Sequence, residues 1–297
     1  MEPAPLSEHV ALGMPSAANV DSPDDYLLVK PQYVVSYSRS RVHANWVSWH
    51  LDEEDLGSAD RQDDFRPDSA LPTYWLRALT TDYTYSGFDR GHLCPSADRT
   101  SSTADNSATF LMTNIIPQSP VLNQEAWAYL EEYCRDVARD GYELYIVAGT
   151  YGTGGVGEQG LMNTIGRGIN VPAGVWKVIV VVPEGMRLED TYGQAQVIAV
   201  DMPNSSTLTD NVSWLRFVTT PQEIGDKAQA SFFERVPEKV RSVWLKRTFQ
   251  FTDGGLNVDT KCRMYNSRQL YMGPKGGCYY INSNGNKTYV DRGQCDC

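Results

Sequence analysis

The sequence lacks any run of apolar residues long enough to cross a membrane. The longest, residues 178–182, is short enough to be one buried strand. General disorder is also excluded, because 41% of the 297 residues are hydrophobic and 11% are aromatic, an ordinary composition for a globular protein. The N-terminal residues lack the basic and apolar regions of a signal peptide, so we expect that one is absent or already removed.

Histidine is scarce, and most of it is not placed for chemistry. The chain has four histidines, and His9, His43 and His50 have no partner at the spacing of metal ligands, so we interpret them as surface or hydrogen-bonded residues. The glycine-rich residues 152–157 lack the Lys-Ser/Thr ending and the following helix of a phosphate-binding loop. We interpret them as a mobile loop over a substrate groove.

Cysteine is sparse except at the end of the chain. Four of the six cysteines lie close together there: Cys262, Cys278, Cys295 and Cys297. Such density in a short polar segment predicts disulfide bonds and therefore an oxidising, secreted or periplasmic location. Zinc binding is the alternative, but no Cys-x-x-Cys pair or nearby histidine supports it. Four cysteines allow three pairings, and all three remain open.

The chain has no excess of positive charge. It carries 26 Lys and Arg residues against 37 Asp and Glu, a formal net charge of −11. Nucleic acid is a polyanion that such a field repels, so a protein that acts on it needs an uneven charge distribution. We expect residues 52–55 and 63–64 to form solvated acidic surface. The arginines that could gather in one cleft are Arg61, Arg90, Arg99, Arg135 and Arg167.

Hydrophobic patterning predicts an α+β fold. Strands are expected at residues 26–29, 32–38, 45–51, 143–149, 175–182 and 196–200. Helices are expected at residues 220–225 and 237–246. Mixed strands with helices on either side are typical of an α+β sheet domain.

Composition divides the chain into three parts. Residues 1–24 are polar and rich in proline, which predicts a loosely attached lead-in, and residues 25–249 form the main domain. Residues 250–297 form a small disulfide-rich module. Within it, two short strands around an Asn-Gly turn in residues 273–290 predict a β-hairpin.

The segment Asp89-Arg90-Gly91-His92 has the residue types that phosphate-ester chemistry needs. It places an ionisable base beside fixed charges where we expect the chain to bend tightly. Alone, the tetrapeptide is more often an ordinary Asp-Arg pair, a turn glycine and a hydrogen-bonded histidine.

A helix is predicted just downstream, over residues 122–135. Asn123, Trp127, Glu131 and Arg135 recur at steps of four, so they form one stripe that presents an amide, a carboxylate and a guanidinium in the same direction. The simpler interpretation of its last two members is a surface ion pair.

These two segments, with Thr-Asn-Ile-Ile-Pro-Gln at residues 113–118, resemble the DNA/RNA non-specific endonuclease family, the DRGH branch of the ββα-metal nucleases. The similarity is greatest to its secreted bacterial members and extends from about residue 9 to residue 217. It implies a ββα-metal finger embedded in a mainly antiparallel central sheet flanked by helices, with the Cys-rich β module appended. It also implies metal-dependent hydrolysis of phosphodiester bonds in DNA and RNA, which leaves 5′-phosphate and 3′-hydroxyl ends.

The resemblance assigns the chemistry to three residues. His92 is the general base that activates water. Asn123 is the one direct protein ligand of a hydrated Mg²⁺, with Mn²⁺ as the alternative ion. Glu131 holds the same ion through water.

The resemblance assigns supporting roles to others. Arg61, Arg90 and Arg135 bind phosphate oxygens, for which a planar guanidinium is well suited. Asn114 orients the water or the backbone near His92, and Asp89 anchors the turn.

Other functions remain open at this point. One is a catalytically weak nucleic-acid-binding or toxin-like protein on the same fold, and another is a phosphodiesterase for a different phosphoester. DNA and RNA are the expected partners, and a protein inhibitor is a further candidate. Cys94 and Cys134 lie near the two motifs and either form a disulfide that braces the site or are both free.

Overall fold

The computed structural model describes residues 6–208, 213–249, 260–265, 268–272, 278–281 and 287–295. Up to residue 249 the strands are, in chain order, β1 (Tyr26–Val29), β2 (Val34–Ser38), β3 (His43–Leu51), β4 (Asp89–His92), β5 (Ile115–Gln118), β6 (Tyr142–Tyr151), β7 (Gly155–Gly157), β8 (Gly160–Met162), β9 (Thr164–Ile165), β10 (Ile169–Asn170), β11 (Gly174–Pro183) and β12 (Gln196–Pro203). After it come β13 (Thr260–Tyr265), β14 (Arg268–Met272), β15 (Cys278–Ile281) and β16 (Lys287–Tyr289).

The helices connect these strands. The α-helices are α1 (Thr103–Ala108), α2 (Pro120–Gln124), α3 (Ala126–Arg139), α4 (Leu188–Thr191), α5 (Pro221–Ala228) and α6 (Glu238–Trp244). Short 3₁₀ helices lie at Glu8–Val10, Glu53–Asp55, Thr80–Tyr83, Ser96–Asp98, Met112–Asn114, Trp214–Phe217 and Arg292–Gln294. No helix in the described ranges combines the length and the apolar character that a bilayer span requires.

The main sheet has the strand order β1-β2-β3-β6-β11-β12, and all of its neighbouring strands are antiparallel. The segments that the sequence predicts as strands form this sheet, with ends shifted by a few residues. Helix α5 begins where its sequence signals place it: Pro221 occupies the first turn, and Thr220 and Glu223 form a capping box. The predicted α+β class is confirmed.

Each face of the main sheet packs against a different hydrophobic cluster. Helix α3 covers one face with Trp127, Leu130 and Val137. The other face packs against α5, α6 and the segment before β1. Strand β11 is buried on both faces, because its residues alternate between the two clusters.

The lead-in is more firmly attached than its composition suggests. Val10 and Leu12 are buried in the second cluster, and His9 bonds through Nε2 to the carbonyl oxygen of Pro31, 2.7 Å away. The expectation of loose attachment is therefore wrong for residues 9–12. Apolar side chains within the polar segment provide this anchoring.

The other two histidines interpreted as ordinary are also hydrogen-bonded. His43 bonds through Nδ1 to the carbonyl oxygen of Ala44 at 2.7 Å, and His50 bonds through Nε2 to Glu143 at 3.1 Å. The interpretation of His9, His43 and His50 is confirmed.

The Asp89-Arg90-Gly91-His92 segment forms β4, a strand and not the bend that we expected. It pairs with β5 in an antiparallel ribbon, with Gly91 opposite Ile116. Glycine is needed here because of a close approach: a Cβ at residue 91 would lie 2.6 Å from the Cβ of Gln118. Ser119 then caps α2, and Pro120 occupies its first turn. The ribbon and the helices after it form the ββα unit.

The glycine-rich stretch is also more ordered than a simple loop. Part of it forms β7, which pairs with β8 in a hairpin. The backbone N–H of Glu158 at the hairpin tip donates to the carbonyl oxygen of Gly87, 3.1 Å away. Gln159 donates through Nε2 to the carbonyl oxygen of Tyr85 at 2.8 Å. These bonds connect the hairpin to the segment that leads into β4.

The C-terminal strands β13 to β16 form a separate antiparallel sheet. The predicted hairpin is the β15–β16 pair, and its Asn-Gly turn lies outside the described residues. A disulfide bond joins Cys278 to Cys295, so one bond of the predicted framework is confirmed. The side chains of Cys262 and Cys297 lie outside the described part.

Cys94 and Cys134 do not form a disulfide. Both thiols are free and buried. Burial raises the pKa of both, that of Cys134 to about 12. Of the two alternatives for this pair, the structure has the free one.

We expect Gly91→Ala to destabilise the ribbon. The added methyl group would lie 2.1 Å from Oε1 of Gln118, and Gln118 is fully buried, so the strands must shift. The free energy of unfolding, measured by urea denaturation, should fall by about 1–3 kcal/mol. Gly193→Ala is the control, because a Cβ there meets no atom within 4 Å. Equal effects of the two substitutions would contradict this account.

Candidate active site

A groove with a volume of about 490 Å³ lies beside β4. Its lining includes Asp89 and Arg90 from β4, Asn123 from α2, and Arg61 and Phe65 from the segment between β3 and β4. The structure thus brings together four of the residues that the sequence singled out, namely Arg61, Asp89, Arg90 and Asn123.

Both groove arginines lie against aromatic rings. The guanidinium carbon of Arg90 is 4.2 Å from the centroid of the Phe65 ring, and that of Arg61 is 4.9 Å from the Phe110 ring. Such contacts hold a cation by the ring quadrupole and leave its N–H groups for other partners. Arg61 also pairs with Asp63 at 2.8 Å, whereas the salt bridges of the described chain do not include Arg90. Arg90 therefore has the more available guanidinium.

The imidazole of His92 is buried beside these arginines. Its ring centroid lies 4.9 Å from that of Phe110 and 5.5 Å from that of Phe65. Its Nε2 atom is shielded from solvent and has no hydrogen-bond partner among the described residues. A buried polar atom without a partner is costly, so this nitrogen is suited to a group that binds during function.

The surroundings of His92 keep its ring neutral. Burial, with smaller contributions from the positive charges of Arg61 and Arg90, lowers its pKa from the ordinary 6.5 to about 3. The neutral form can accept a proton, which is the state that a general base needs.

Asn123 is oriented by a carboxylate. Its Nδ2 donates to Oδ2 of Asp89 at 2.9 Å, and Nε2 of Gln124 donates to the same oxygen, also at 2.9 Å. An ionised carboxylate only accepts hydrogen bonds, so this contact fixes the amide nitrogen towards Asp89 and the amide oxygen away from it. Asp89 therefore anchors Asn123.

Asn114 holds the backbone next to β4. Its Oδ1 accepts the N–H of Cys94 at 2.9 Å, and its Nδ2 donates to the carbonyl oxygens of Cys94 at 2.8 Å and Thr109 at 2.9 Å. The side chain is fully buried. These contacts favour the backbone-orienting alternative over direct contact with water in the groove.

Glu131 and Arg135 lie together behind the groove and do not line it. Arg135 donates through Nη1 to Oδ1 of Asp98 at 3.0 Å, and Asp98 is only 1% exposed. Burial raises the pKa of Glu131 to about 7, and the charges of Lys177 and Arg135 oppose this shift. The phosphate-binding role assigned to Arg135 therefore remains a prediction, and its guanidinium is already paired.

The single stripe predicted for this region is interrupted. Asn123 belongs to α2, Glu131 and Arg135 belong to α3, and Glu125 between the two helices has non-helical backbone angles (φ −120°, ψ −99°). The period of four continues across this break in the sequence. This explains why the amide and the carboxylate have different surroundings.

Three of the five arginines expected in one cleft do not line the groove: Arg135, described above, Arg99 and Arg167. Arg99 is buried and donates to the carbonyl oxygens of Gln32 and His50, and Arg167 pairs with Asp82 at 2.8 Å. The expectation of a five-arginine cleft is wrong, because carboxylates and carbonyl groups already satisfy these side chains.

The donor set suits a hydrated ion with few protein ligands. The described residues contain no group of three or more His, Cys, Asp or Glu side chains that could hold a metal ion. Asn123 can offer one amide oxygen to the groove. Oε1 of Glu131 lies at an ion-pair distance of 3.7 Å from Nζ of Lys177, which leaves Oε2 for the water around an ion. Such a pair fits Mg²⁺, which prefers oxygen ligands and keeps most of its water.

Sequence reasoning missed the aromatic and charged residues that support the site. Phe65 and Phe110 hold the arginines, and Asp98 and Lys177 contact the residues of α3. Lys177 had a visible signal, since it is a single charge within the apolar run of β11. Phe65, Phe110 and Asp98 had none beyond their proximity in sequence to the motifs.

We expect His92 to remain neutral in solution well below pH 6.5. In metal-free protein, the NMR signals of its ring protons should not change between pH 8 and about 5, because the folded-state pKa is about 3. The unfolded chain takes up this proton near 6.5, so the residue makes folding less favourable as the pH falls from 6.5 towards 3. His92→Gln assigns the signals. A midpoint near 6.5 would disprove the prediction.

Comparisons with known proteins agree on one family. The DNA/RNA non-specific endonuclease family model matches residues 16–239. A nuclease of Nostoc sp. (strain PCC 7120) is 43% identical over 240 residues, which cover 80% of this chain and 84% of that protein. Human mitochondrial endonuclease G is 34% identical over 200 residues, 65% of this chain and 62% of that protein.

A solved structure shows the same fold. The crystal structure of the EndoG/EndoGI complex, described as showing the mechanism of EndoG inhibition, matches with a TM-score of 0.66 and 24% identity, and covers 78% of this chain and 92% of that chain. The resemblance found in the sequence is thereby confirmed. Because the family model covers well over half of its residues, the chain belongs to the DNA/RNA non-specific endonuclease family.

Proposed function

We propose that the protein is a divalent-metal-dependent endonuclease that hydrolyses phosphodiester bonds of DNA and RNA without strong sequence preference. The observation that carries the proposal is the buried, neutral His92, whose unpartnered Nε2 lies beside two groove arginines. The groove residues identified above offer groups for phosphate, a cation and water, and such contacts do not read base edges.

The protein groups divide the reaction between them. His92 takes a proton from the attacking water at Nε2 as the water oxygen bonds to phosphorus. The bond from phosphorus to the 3′ oxygen breaks and that oxygen takes a proton from solvent, which gives a 5′-phosphate and a 3′-hydroxyl. Arg90 and Arg61 donate hydrogen bonds to the non-bridging phosphate oxygens. Their contacts with aromatic rings hold the guanidinium groups at the groove in position for this. Asn114 keeps the backbone after His92 in place.

Asn123 and Glu131 would hold the cation. Asn123 offers Oδ1 directly, since Asp89 retains its amide nitrogen, and Glu131 accepts hydrogen bonds from the water around the ion. A bound Mg²⁺, or Mn²⁺, supplies a Lewis acid that stabilises negative charge on the leaving oxygen. Arg135 balances the negative charges of Asp98 and Glu131. In the proposal it also contacts a phosphate oxygen.

The setting of the enzyme is also a proposal. The Cys278–Cys295 disulfide supports a secreted or periplasmic location. A protein inhibitor is the other proposed partner. The proposal is supported by the fold match to the EndoG/EndoGI complex, in which EndoG is inhibited.

We expect His92→Ala to lose about two to four powers of ten in nicking of plasmid DNA and digestion of RNA, the usual effect of a positioned base. The assay compares Mg²⁺ with EDTA. His50→Ala is the control, because His50 contacts Glu143 outside the groove, and circular dichroism checks folding. Equal activity of His92→Ala and the parent would exclude His92 as the base. A parent that binds nucleic acid without cutting it, or cuts only a small diester, would support the rival functions.

We expect Asp89→Asn to weaken metal dependence without unfolding the protein. A neutral amide can donate as well as accept, so it no longer fixes which end of Asn123 faces the groove. The Mg²⁺ concentration for half-maximal activity should rise about 10- to 100-fold. Asp63→Asn is the control, since Asp63 pairs with Arg61 instead. An unchanged Mg²⁺ requirement in Asp89→Asn would show that the contact does not orient a ligand.

A further inference from the structure

The centre of the main sheet holds a buried lysine. Lys177 lies in β11, the strand buried on both faces, and its side chain is only 1% exposed. Its register partners are Ala148 in β6 and Val200 in β12, which provide no charge. A lysine is rarely buried unless its ammonium group has a partner, so this residue requires an explanation.

Two tryptophans and one carboxylate surround the ammonium group. Nζ lies 4.1 Å from the centroid of the Trp127 ring and 5.5 Å from that of Trp49. Oε1 of Glu131 is 3.7 Å away, which is an ion-pair distance and longer than a hydrogen bond. The rings therefore locate the positive charge, and that charge faces the carboxylate.

The tryptophans connect this charge to the rest of the site. Nε1 of Trp127 donates to the carbonyl oxygen of His92 at 3.3 Å, and Nε1 of Trp49 donates to Oδ2 of Asp98 at 3.0 Å. Asp98 is the partner of Arg135. Lys177 thus lies behind the ribbon and α3, in contact with the groups that place both the base and the carboxylate.

We propose that Lys177 is a positioning residue, whose ammonium group, fixed between Trp127 and Trp49, holds the Glu131 carboxylate in the orientation that receives a hydrated divalent cation. The inference rests on the proposed role of Glu131. It goes beyond that role, because it assigns a function to a residue of the sheet that is separate from the groove. With Oε1 directed to Lys177, Oε2 is the oxygen left for the water around the ion.

Because Lys177 lies near the proposed cation site, the direction of the change in cation affinity on its removal is informative. A positive charge near a cation site repels the cation, so its removal should tighten binding if only long-range charge matters. If the charge instead orients Glu131, its removal should weaken binding. The direction of the change therefore separates the two effects.

The test measures Mn²⁺ binding to the full chain, with the free ion followed by electron paramagnetic resonance and no substrate present. We expect Lys177→Met to raise the dissociation constant about tenfold, the lower end of the effect of removing a group that orients a ligand. In the Glu131→Gln background, Lys177→Met should have no further effect, because the carboxylate through which it acts is gone. Lys177→Gln, with a polar end group, replaces Lys177→Met if the latter does not fold.

Lys227→Met is the matched control. Lys227 also pairs with a carboxylate, Asp201, and lies 5.9 Å from an aromatic ring centroid, that of Tyr151. It belongs to α5, which packs on the face of the sheet opposite α3, and its side chain is exposed, so Mn²⁺ binding should not change.

The outcomes separate this inference from the proposed function. Unchanged or tighter Mn²⁺ binding in Lys177→Met, or an equal loss in the Glu131→Gln background, would overturn the role of Lys177. A parent that binds no Mn²⁺, or a Glu131→Gln variant that binds it as the parent does, would overturn the proposed role of Glu131, and the inference with it.

Discussion

The site depends on one hydrogen bond between two neighbouring elements. Asp89 belongs to β4 and Asn123 to α2, and the bond between their side chains joins the ribbon to the helix that follows it. Because a carboxylate cannot donate, the bond also fixes the orientation of an otherwise symmetric-looking amide. The same carboxylate accepts a hydrogen bond from Gln124. Asp89 therefore holds the last two residues of α2, just before the helix is interrupted at Glu125. This contact therefore sets both the position of the Asn123 side chain and the direction of its amide oxygen.

The net charge of the protein has the same sign as that of the proposed nucleic-acid substrate, so the local arrangement of charge matters. At physiological salt, exposed charges are screened beyond about 8 Å, so the charges that act within the groove are those of its lining, namely Arg90, the Arg61–Asp63 pair and Asp89. The other arginines of interest are neutralised nearby: Arg99 by Asp55, Arg135 by Asp98 and Arg167 by Asp82. Under the proposed function, the attraction for phosphate therefore comes from the groove itself, mainly from Arg90. For the proposed nuclease, such weak long-range attraction favours release of the cut product.

Patterns that depend on neighbouring residues in the sequence were predictable. The alternation in β3 and the apolar run of β11 predicted strands of the main sheet. The order of the motifs along the chain indicated the family. What failed depended on contacts between distant segments. The bend expected at Gly91 is a strand, because the demand for glycine comes from Gln118 across the ribbon. The four-residue spacing of Asn123, Trp127, Glu131 and Arg135 does not indicate the helix interruption at Glu125. The partners of Arg99 and Arg167 are carboxylates and carbonyl groups far away in the sequence, which residue spacing cannot identify.

Free thiols and a disulfide coexist in this chain. Exchange between them requires a thiolate to attack a disulfide sulfur, and burial keeps Cys94 and Cys134 protonated by raising their pKa values. Neither sulfur can reach solvent or another chain while the fold is intact. Cys94 and Cys134 therefore do not scramble the Cys278–Cys295 bond while the fold is intact, and these two thiols become a hazard only after unfolding.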